Sequence, residues 1–145
     1  MITQVHPEAF KLYISARSDV LFEGKVVFKR TWFRLVRRMV RDYKFRGSDP
    51  AETMGMWANV RRGEKLYISP YKENADLMFD SSLAFEFSVL KPFVVPLLEA
   101  IPAGKYDVVD DMLKGFEQIE ALDEKYVAPN SLAREFIGGS TYDNH

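Results

Sequence analysis

The sequence of 145 residues contains no cysteine, only two histidines and no long hydrophobic run. Without cysteine the chain can form neither disulfide bonds nor a zinc site with thiolate ligands. The most apolar stretch, 85–101, is interrupted by charged residues and prolines, so we expect no membrane-spanning segment. The first residues also lack the apolar core of a secretory signal peptide. These absences predict a soluble, cytoplasmic protein that has no membrane partner.

The few groups that could ligate a metal or act as acids and bases are poorly placed. His6 and His145 lie at opposite ends of the chain, and neither has a second ligand at a short spacing. Asp110 and Asp111 fall on a predicted amphipathic helix, where a solvated face is a simpler interpretation than a catalytic carboxylate pair. We therefore predict no metal site and no catalytic residue.

Acidic and basic residues are strongly segregated, although the formal net charge is only −1. Residues 25–72 contain 13 Lys and Arg against four Asp and Glu, whereas residues 73–145 contain five against 14. Hydrophobic residues make up 47% of the chain, which excludes a disordered protein and allows a real core. The pattern predicts one domain, residues 1–145, in which an anion-binding segment is carried on an acidic body.

One stretch, residues 33–46 with the sequence FRLVRRMVRDYKFR, dominates the basic half. On a helix the face opposite its apolar residues carries four arginines: Arg34, Arg37, Arg38 and Arg41. Guanidinium groups suit phosphate, because their planar fork makes two parallel hydrogen bonds. Asp42 is the only acid in the run, so this face differs from the mixed-sign surface of an ordinary solvated helix. The stretch predicts an amphipathic helix with a phosphate-facing arginine stripe, capped by Thr31 and ended by Gly47.

The rest of the pattern predicts short strands and several helices. Alternation and turn residues favour strands at 10–16, 20–22 and 25–28, the second and third forming a hairpin. Residues 75–79 fit either a buried strand or the start of a helix. Apolar periodicity favours helices at 50–60, from 81 onward with breaks near Pro92 and Pro96, at 105–122 and at 132–137. The expected fold class is α/β, rich in helices with a few short strands.

Three segments of the chain resemble the uridine kinase-like branch of the phosphoribulokinase/uridine kinase family of P-loop kinases. The segment RLVRRMVRDYKFRG (34–47) is similar to the lid-region helix of these enzymes. The segment ISPYKENADLMFDSSLAFEFSVLKPFVVPLL (68–98) resembles the region after the lid in the bacterial branch, and SLAREFIGGS (131–140) resembles that branch's C-terminal end. The resemblance therefore covers most of the chain, with the lid region at about 30–65.

The resemblance implies a parallel sheet with flanking helices and a transfer of the γ-phosphoryl group of ATP, with Mg²⁺, to a nucleoside or related sugar. Four arginines match lid residues that reach the donor phosphates: Arg37, Arg38, Arg41 and Arg46. Arg34 matches the arginine at the sugar end of the lid helix, and Glu52 matches a polar position on the substrate side. Cationic lids matter in such reactions, since phosphoryl transfer depends on positioning and charge stabilisation.

The chain departs from the family where the P-loop should be. The pattern GxxxxGK[ST], known as Walker A, is absent, and with it the hydroxyl that would ligate Mg²⁺. Trp32 stands where a small polar or acidic residue is expected, and Asp80 stands where the branch has an amide. The chain thus resembles only the C-terminal half of the kinase. We expect it to be inactive without a P-loop-bearing partner chain.

Two other functions fit the same residues. The basic helix 33–46, with aromatic residues beside it, could serve a module that binds nucleic acid or another polyanion. The chain could also be a kinase relic that now serves protein association or self-association, with apolar surface exposed where the missing half would pack. The length of the family resemblance favours the kinase interpretation over both, and makes nucleic acid the less favoured partner.

Overall fold

The computed structural model describes residue 6 and residues 8–142 and has a mixed α/β fold. Four short strands occur in these residues: β1 (Leu12–Ser15), β2 (Val20–Phe22), β3 (Lys25–Phe28) and β4 (Leu77–Asp80). Five α-helices accompany them: α1 (Arg30–Arg46), α2 (Pro50–Tyr67), α3 (Glu86–Glu99), α4 (Asp107–Glu117) and α5 (Arg134–Ile137). Two 3₁₀ segments lie at Ser69–Asn74 and Glu124–Tyr126. The prediction of a helix-rich α/β chain with a few short strands is confirmed.

The strands form two separate two-stranded sheets. β2 and β3 make the predicted antiparallel hairpin, in which Glu23 and Gly24 both adopt positive φ at the turn. β1 and β4 pair in parallel, with Leu12 opposite Leu77 and Ser15 opposite Asp80. The parallel pair brings together two segments that are more than 60 residues apart, so everything between them is a single crossover.

The parallel pair is unusually exposed. Its side chains on both faces are about half accessible to solvent: Leu12, Ile14, Leu77, Met78 and Phe79. Parallel strands are normally covered on both faces, and their edges are normally paired. In the part of the chain that the structure describes, neither the outer edge of β1 nor that of β4 carries a further strand. In the described residues the pair therefore presents apolar surface on both faces and two unpaired edges.

α1 begins one turn earlier than the sequence predicts and is the central helix of the core. Its first amide, of Arg30, donates to the Asp19 carboxylate at 2.6 Å, so Thr31 is not the cap. The predicted stop is confirmed, since Gly47 adopts the left-handed conformation. α1 packs against α2, α3 and α5 through an apolar face that is fully buried at Leu35, Val36, Met39 and Val40.

Aromatic side chains fill the centre of the core, between the hairpin and the helices. The Phe87 ring lies 4.0 Å from that of Phe28 and 3.9 Å from that of Phe33, measured between centroids. Phe116 of α4 packs edge-on against Phe28 at 4.6 Å. A Cβ at Gly115 would lie 2.6 Å from the Val27 carbonyl oxygen, so this position needs glycine for α4 to approach β3.

Three helix predictions are wrong in their bounds. α4 spans Asp107–Glu117 instead of 105–122, and its last amides turn back at Gln118 and Ile119 onto Gly115 and Phe116. α2 continues to Tyr67 instead of ending near Val60, because Glu64 in its last turns is held by two arginines. α3 starts at Glu86 instead of 81, because residues after β4 bind the loop that follows β1. α3 also runs through both prolines without a break. The carbonyl that Pro92 leaves without a helical donor, that of Ser88, accepts from the Leu122 amide at 2.9 Å. No helix in the described residues is long and apolar enough to cross a lipid bilayer.

Candidate anion-binding site

The four arginines of the predicted stripe, Arg34, Arg37, Arg38 and Arg41, line one cavity of about 310 Å³. We call this cavity the stripe pocket. Ile14 of β1 and Ser81, which follows β4, also line it, so α1 lies across the carboxyl ends of the parallel strands. Ligands of parallel α/β sheets bind at this end of the strands. The amphipathic pattern of α1 thus places its guanidinium groups at the position where such a fold binds ligands.

Arg37 is fully engaged inside the protein. Its Nε and one terminal nitrogen donate to the two Glu86 carboxylate oxygens at 2.5 and 2.7 Å. The terminal nitrogens also donate to the Ser81 carbonyl oxygen and hydroxyl at 2.6 and 3.2 Å. Glu86 is completely buried, and Arg37 is 9% exposed. These bonds join α1 to the end of β4 and the start of α3, so the predicted contact of Arg37 with a donor phosphate would have to compete with them.

Three other arginines of the helix, Arg38, Arg41 and Arg46, share one carboxylate. Asp42, which is 3% exposed, accepts from Arg41 at 2.9 and 3.0 Å. Arg46 lies 3.2 Å from the same oxygen, and Arg38 lies 3.9 Å from the other. One carboxylate therefore faces three guanidinium groups. Asp42 offsets one of these three positive charges, and Glu135 also lines the stripe pocket, so the guanidinium groups still outnumber the carboxylates there.

Arg34 lies apart from this cluster and pairs with α2. Its terminal nitrogen contacts the Glu64 carboxylate, which also accepts from Arg61 at 3.0 Å. Glu64 is 7% exposed, so the pair bridges the first turns of α1 to the last turns of α2. Arg34 still lines the stripe pocket, where a further hydrogen-bond donor remains for a ligand.

Glu52 does not lie in this site. It occupies the third position of α2, where its carboxylate accepts from the Asp49 amide at 3.2 Å, and Asp49 in turn caps the helix. It lines neither the stripe pocket nor the larger pocket beside it. The capping box is visible in the sequence as Asp49-Pro50-Ala51-Glu52, and it accounts for this residue. That Glu52 binds substrate stays a prediction, and in this structure its carboxylate serves the helix cap.

A second and larger pocket, of about 560 Å³, adjoins the first at the end of β1. We call it the strand-end pocket. Its lining includes five cationic side chains: Arg17, Arg30, Arg34, Arg61 and Lys72. Sequence reasoning missed four of them. Arg30 lies one turn before Arg34 on the same helical face, so a longer helix would have revealed it. Arg17, Arg61 and Lys72 come together only through the crossover between β1 and β4.

Asp80 fixes the backbone between the two strand ends. It accepts hydrogen bonds from Ser18 Oγ at 2.6 Å, from Ser82 Oγ at 2.7 Å and from the Arg17 amide at 2.9 Å. Partial burial acts to raise the pKa of Asp80, but these bonds and one from the Ser82 amide together hold the pKa well below its ordinary value. The ionised carboxylate thus holds the loop after β1 in place, and Ala16 and Arg17 of this loop line the strand-end pocket.

The site suits phosphate groups but not a divalent metal. In the described part of the chain, which does not include His145, no group of three or more acidic or histidine side chains could hold a metal ion. The carboxylates beside the arginines, Asp42, Glu64 and Glu86, are already bound by guanidinium groups. Mg²⁺ binds through carboxylate oxygens and substrate phosphates, so these residues do not fit it. Cationic side chains outnumber acidic ones in the lining of both pockets, which favours an anionic ligand.

In comparisons with known proteins, no protein-family model, no curated protein and no solved structure matches this chain at a significant level.

Proposed function

We propose that the chain supplies the lid and part of the substrate cleft of an ATP-dependent, uridine kinase-like phosphotransferase. One observation carries the proposal: an arginine-rich helical face lies across the carboxyl ends of a parallel strand pair. In open α/β sheets this is the place where nucleotides and sugars bind. Phosphoryl transfer needs concentrated positive charge there. The family resemblance of residues 34–47, 68–98 and 131–140 supports the same interpretation.

The exposed parallel pair supports the second part of the proposal, a partner half that bears the P-loop. β1 and β4 expose apolar side chains on both faces, and both outer edges are free in the described part of the chain. A segment that adds parallel strands and covering helices would bury this surface and complete the sheet. Such a segment would also supply the backbone amides and the hydroxyl that hold the β-phosphate and Mg²⁺.

Within the assembled enzyme the arginines have different tasks. Arg38, Arg41 and Arg46 would hold the donor phosphates, because their cluster keeps excess positive charge around Asp42. Arg34 would face the acceptor sugar from the opposite end of the stripe. Arg37 is a positioning residue, since its bonds to Glu86 and Ser81 fix α1 against the strand ends. ATP would supply the transferred phosphoryl group.

The test is complementation by a separately produced P-loop half of a uridine kinase-like enzyme. We expect ATP-dependent phosphorylation of uridine by the mixture and none by either chain alone. Phe79→Glu places a charge on the exposed face of β4 and should abolish both association and turnover. Leu21→Glu, on the similarly exposed hairpin, is the matched control and should leave both unchanged. Uridine phosphorylation by the isolated chain would contradict the proposal.

Protein association without catalysis is the second candidate, and the exposed β1 and β4 surface favours it. Mixing this chain with the P-loop half distinguishes the two candidate functions. Tight association without turnover would support a relic that serves assembly, whereas association with turnover supports the kinase. A nucleic-acid module predicts neither outcome. It predicts instead binding to an oligonucleotide that weakens steeply with salt, by a slope near the number of phosphates contacted.

A further inference from the structure

The cationic side chains that line the strand-end pocket outnumber the acidic side chains that could pair with them. Of its five cationic side chains, only Arg34 and Arg61 are paired, and both share the carboxylate of Glu64. Within the described residues, the side chains of Arg17, Arg30 and Lys72 make no hydrogen bond or ion pair. Glu64 is the only acid among the described residues of the lining. Four positive charges therefore converge on one cavity without a compensating group.

These cations come from four different parts of the chain. Arg17 follows β1, Arg30 and Arg34 lie in the first turns of α1, Arg61 lies near the end of α2, and Lys72 lies in the 3₁₀ segment after it. A helix with a solvated basic face would present its charges outward along one element. Here the crossover between the parallel strands brings cations from separate elements around one cavity, although like charges in one cavity repel each other. An anion in the cavity would offset this repulsion.

The size and the other lining groups restrict the ligand. A cavity of about 560 Å³ lies in the range of small-molecule sites. Hydroxyl groups of Tyr13, Thr31 and Ser69 line it beside the cations, and they can donate to phosphate oxygens. Guanidinium groups favour phosphate over a monovalent inorganic ion, because they bind two of its oxygens at once. We propose that the strand-end pocket is a phosphate site in its own right, distinct from the stripe pocket, and that it takes a small phosphorylated molecule.

The two pockets meet at Arg34 and Ile14, which line both. One terminal nitrogen of Arg34 contacts the Glu64 carboxylate, and the remaining donors of Arg34 can bind a ligand in either pocket. A phosphorylated ligand in the strand-end pocket would therefore lie next to the stripe. The site does not depend on kinase chemistry, because none of the cations that form it is assigned to the donor phosphates and only Arg34 has another role in the proposed kinase.

The test is a calorimetric titration of the full chain with inorganic pyrophosphate. We expect Arg30→Gln with Lys72→Gln to weaken pyrophosphate binding at least tenfold. The matched control is Arg62→Gln with Lys65→Gln, which removes the same charge from exposed positions outside both pockets. This control should change the affinity by less than twofold. Circular dichroism of both variants verifies the fold, since none of the four side chains is buried.

A third variant locates the bound anion. Arg38→Gln with Arg41→Gln removes two charges from the stripe pocket only, and we expect it to retain most pyrophosphate binding. Equal losses in all three variants would mean diffuse attraction to a basic surface and would overturn the proposal. Loss only in the stripe variant, or no binding by the wild-type chain, would also overturn it. None of these outcomes bears on complementation by a P-loop half, so the two proposals fail separately.

Discussion

Arg37 and Glu86 form a buried ion pair that joins the centre of α1 to the first residue of α3, with two parallel bonds of 2.5 and 2.7 Å. The Arg37 guanidinium also lies over the rings of Phe33 and Phe136. Glu86 has no contact with solvent. A charge buried so deeply is stable only while its partner is present, because removal of one member leaves the other unpaired and without water.

Single substitutions of this pair should be strongly destabilising. We expect Glu86→Ala and Arg37→Ala each to lower the free energy of unfolding by about 3–5 kcal/mol. The double variant Arg37→Met with Glu86→Leu should cost much less, because neither side chain then carries a buried charge. Urea unfolding followed by circular dichroism measures all three. Losses below about 1 kcal/mol in the single variants would show that the ion pair does not hold α1 against α3.

Asp42 should act as an internal substitute for a bound anion. Asp42→Asn leaves the three guanidinium groups of Arg38, Arg41 and Arg46 without their shared carboxylate. We expect the variant to lose about 1–3 kcal/mol of stability in low salt, because these groups then repel one another. Added phosphate should raise its melting temperature more than that of the wild type, since phosphate can take the place of the carboxylate. Asp111→Asn, on an exposed face of α4, is the control and should show no such difference.

The stability of the loop after β1 should depend on pH through Asp80. The pKa of Asp80 is held below its ordinary value of 3.8, so the folded state favours the ionised form. Its contribution is therefore fully present above about pH 5 and is lost as the pH falls through and below the ordinary value. The stability difference between wild type and Asp80→Asn should be largest at neutral pH and should shrink toward pH 3. Urea unfolding at pH 7, 5 and 3 measures it. A stability difference between the two proteins that is constant from pH 7 to pH 3 would contradict this role of the Asp80 carboxylate.

Two glycines in helices should respond to alanine with opposite sign. Gly115→Ala would place a methyl group 2.6 Å from the Val27 carbonyl oxygen and 2.9 Å from the Phe28 ring. Overpacking of this kind costs about 1–3 kcal/mol. Gly63→Ala, within α2, meets nothing within 4 Å and should stabilise the chain by up to about 1 kcal/mol. Thermal unfolding of the two variants compares them directly. A neutral Gly115→Ala would mean that α4 does not approach β3 as described.

Local sequence patterns alone were sufficient to predict α1, which carries the arginine stripe, and the hairpin turn. The apolar face of α1 and the turn at Glu23-Gly24 are local signals, and both are confirmed. The sequence could not reveal the C-terminal end of α2, because Glu64 is held by Arg34 from another helix. Tyr43 falls on the apolar side of the helical pattern of residues 33–46 but is 54% exposed. The C-terminal segment packs instead near Lys44, whose ammonium donates to the Ile137 carbonyl oxygen.

The candidate site was predicted only in part for the same reason. A helical wheel places Arg34, Arg37, Arg38 and Arg41 on one face, and all four do line one cavity. It cannot distinguish an arginine that faces a ligand from one that faces a buried carboxylate. Glu86 is 49 residues away from Arg37, and no local pattern links the two. The strand-end pocket was missed because parallel pairing of β1 with β4 is what assembles it.

Binding of the ATP phosphates by the arginine stripe, once the sheet is completed, is the central claim. The decisive measurement is the dissociation constant of ATP for the chain assembled with a P-loop-bearing half, compared between wild type and Arg38→Gln with Arg41→Gln. We predict a loss of at least tenfold, while Lys105→Gln with Lys114→Gln, in the loop before α4 and on α4, leaves the constant unchanged. An equal affinity in wild type and the stripe variant would contradict the claim.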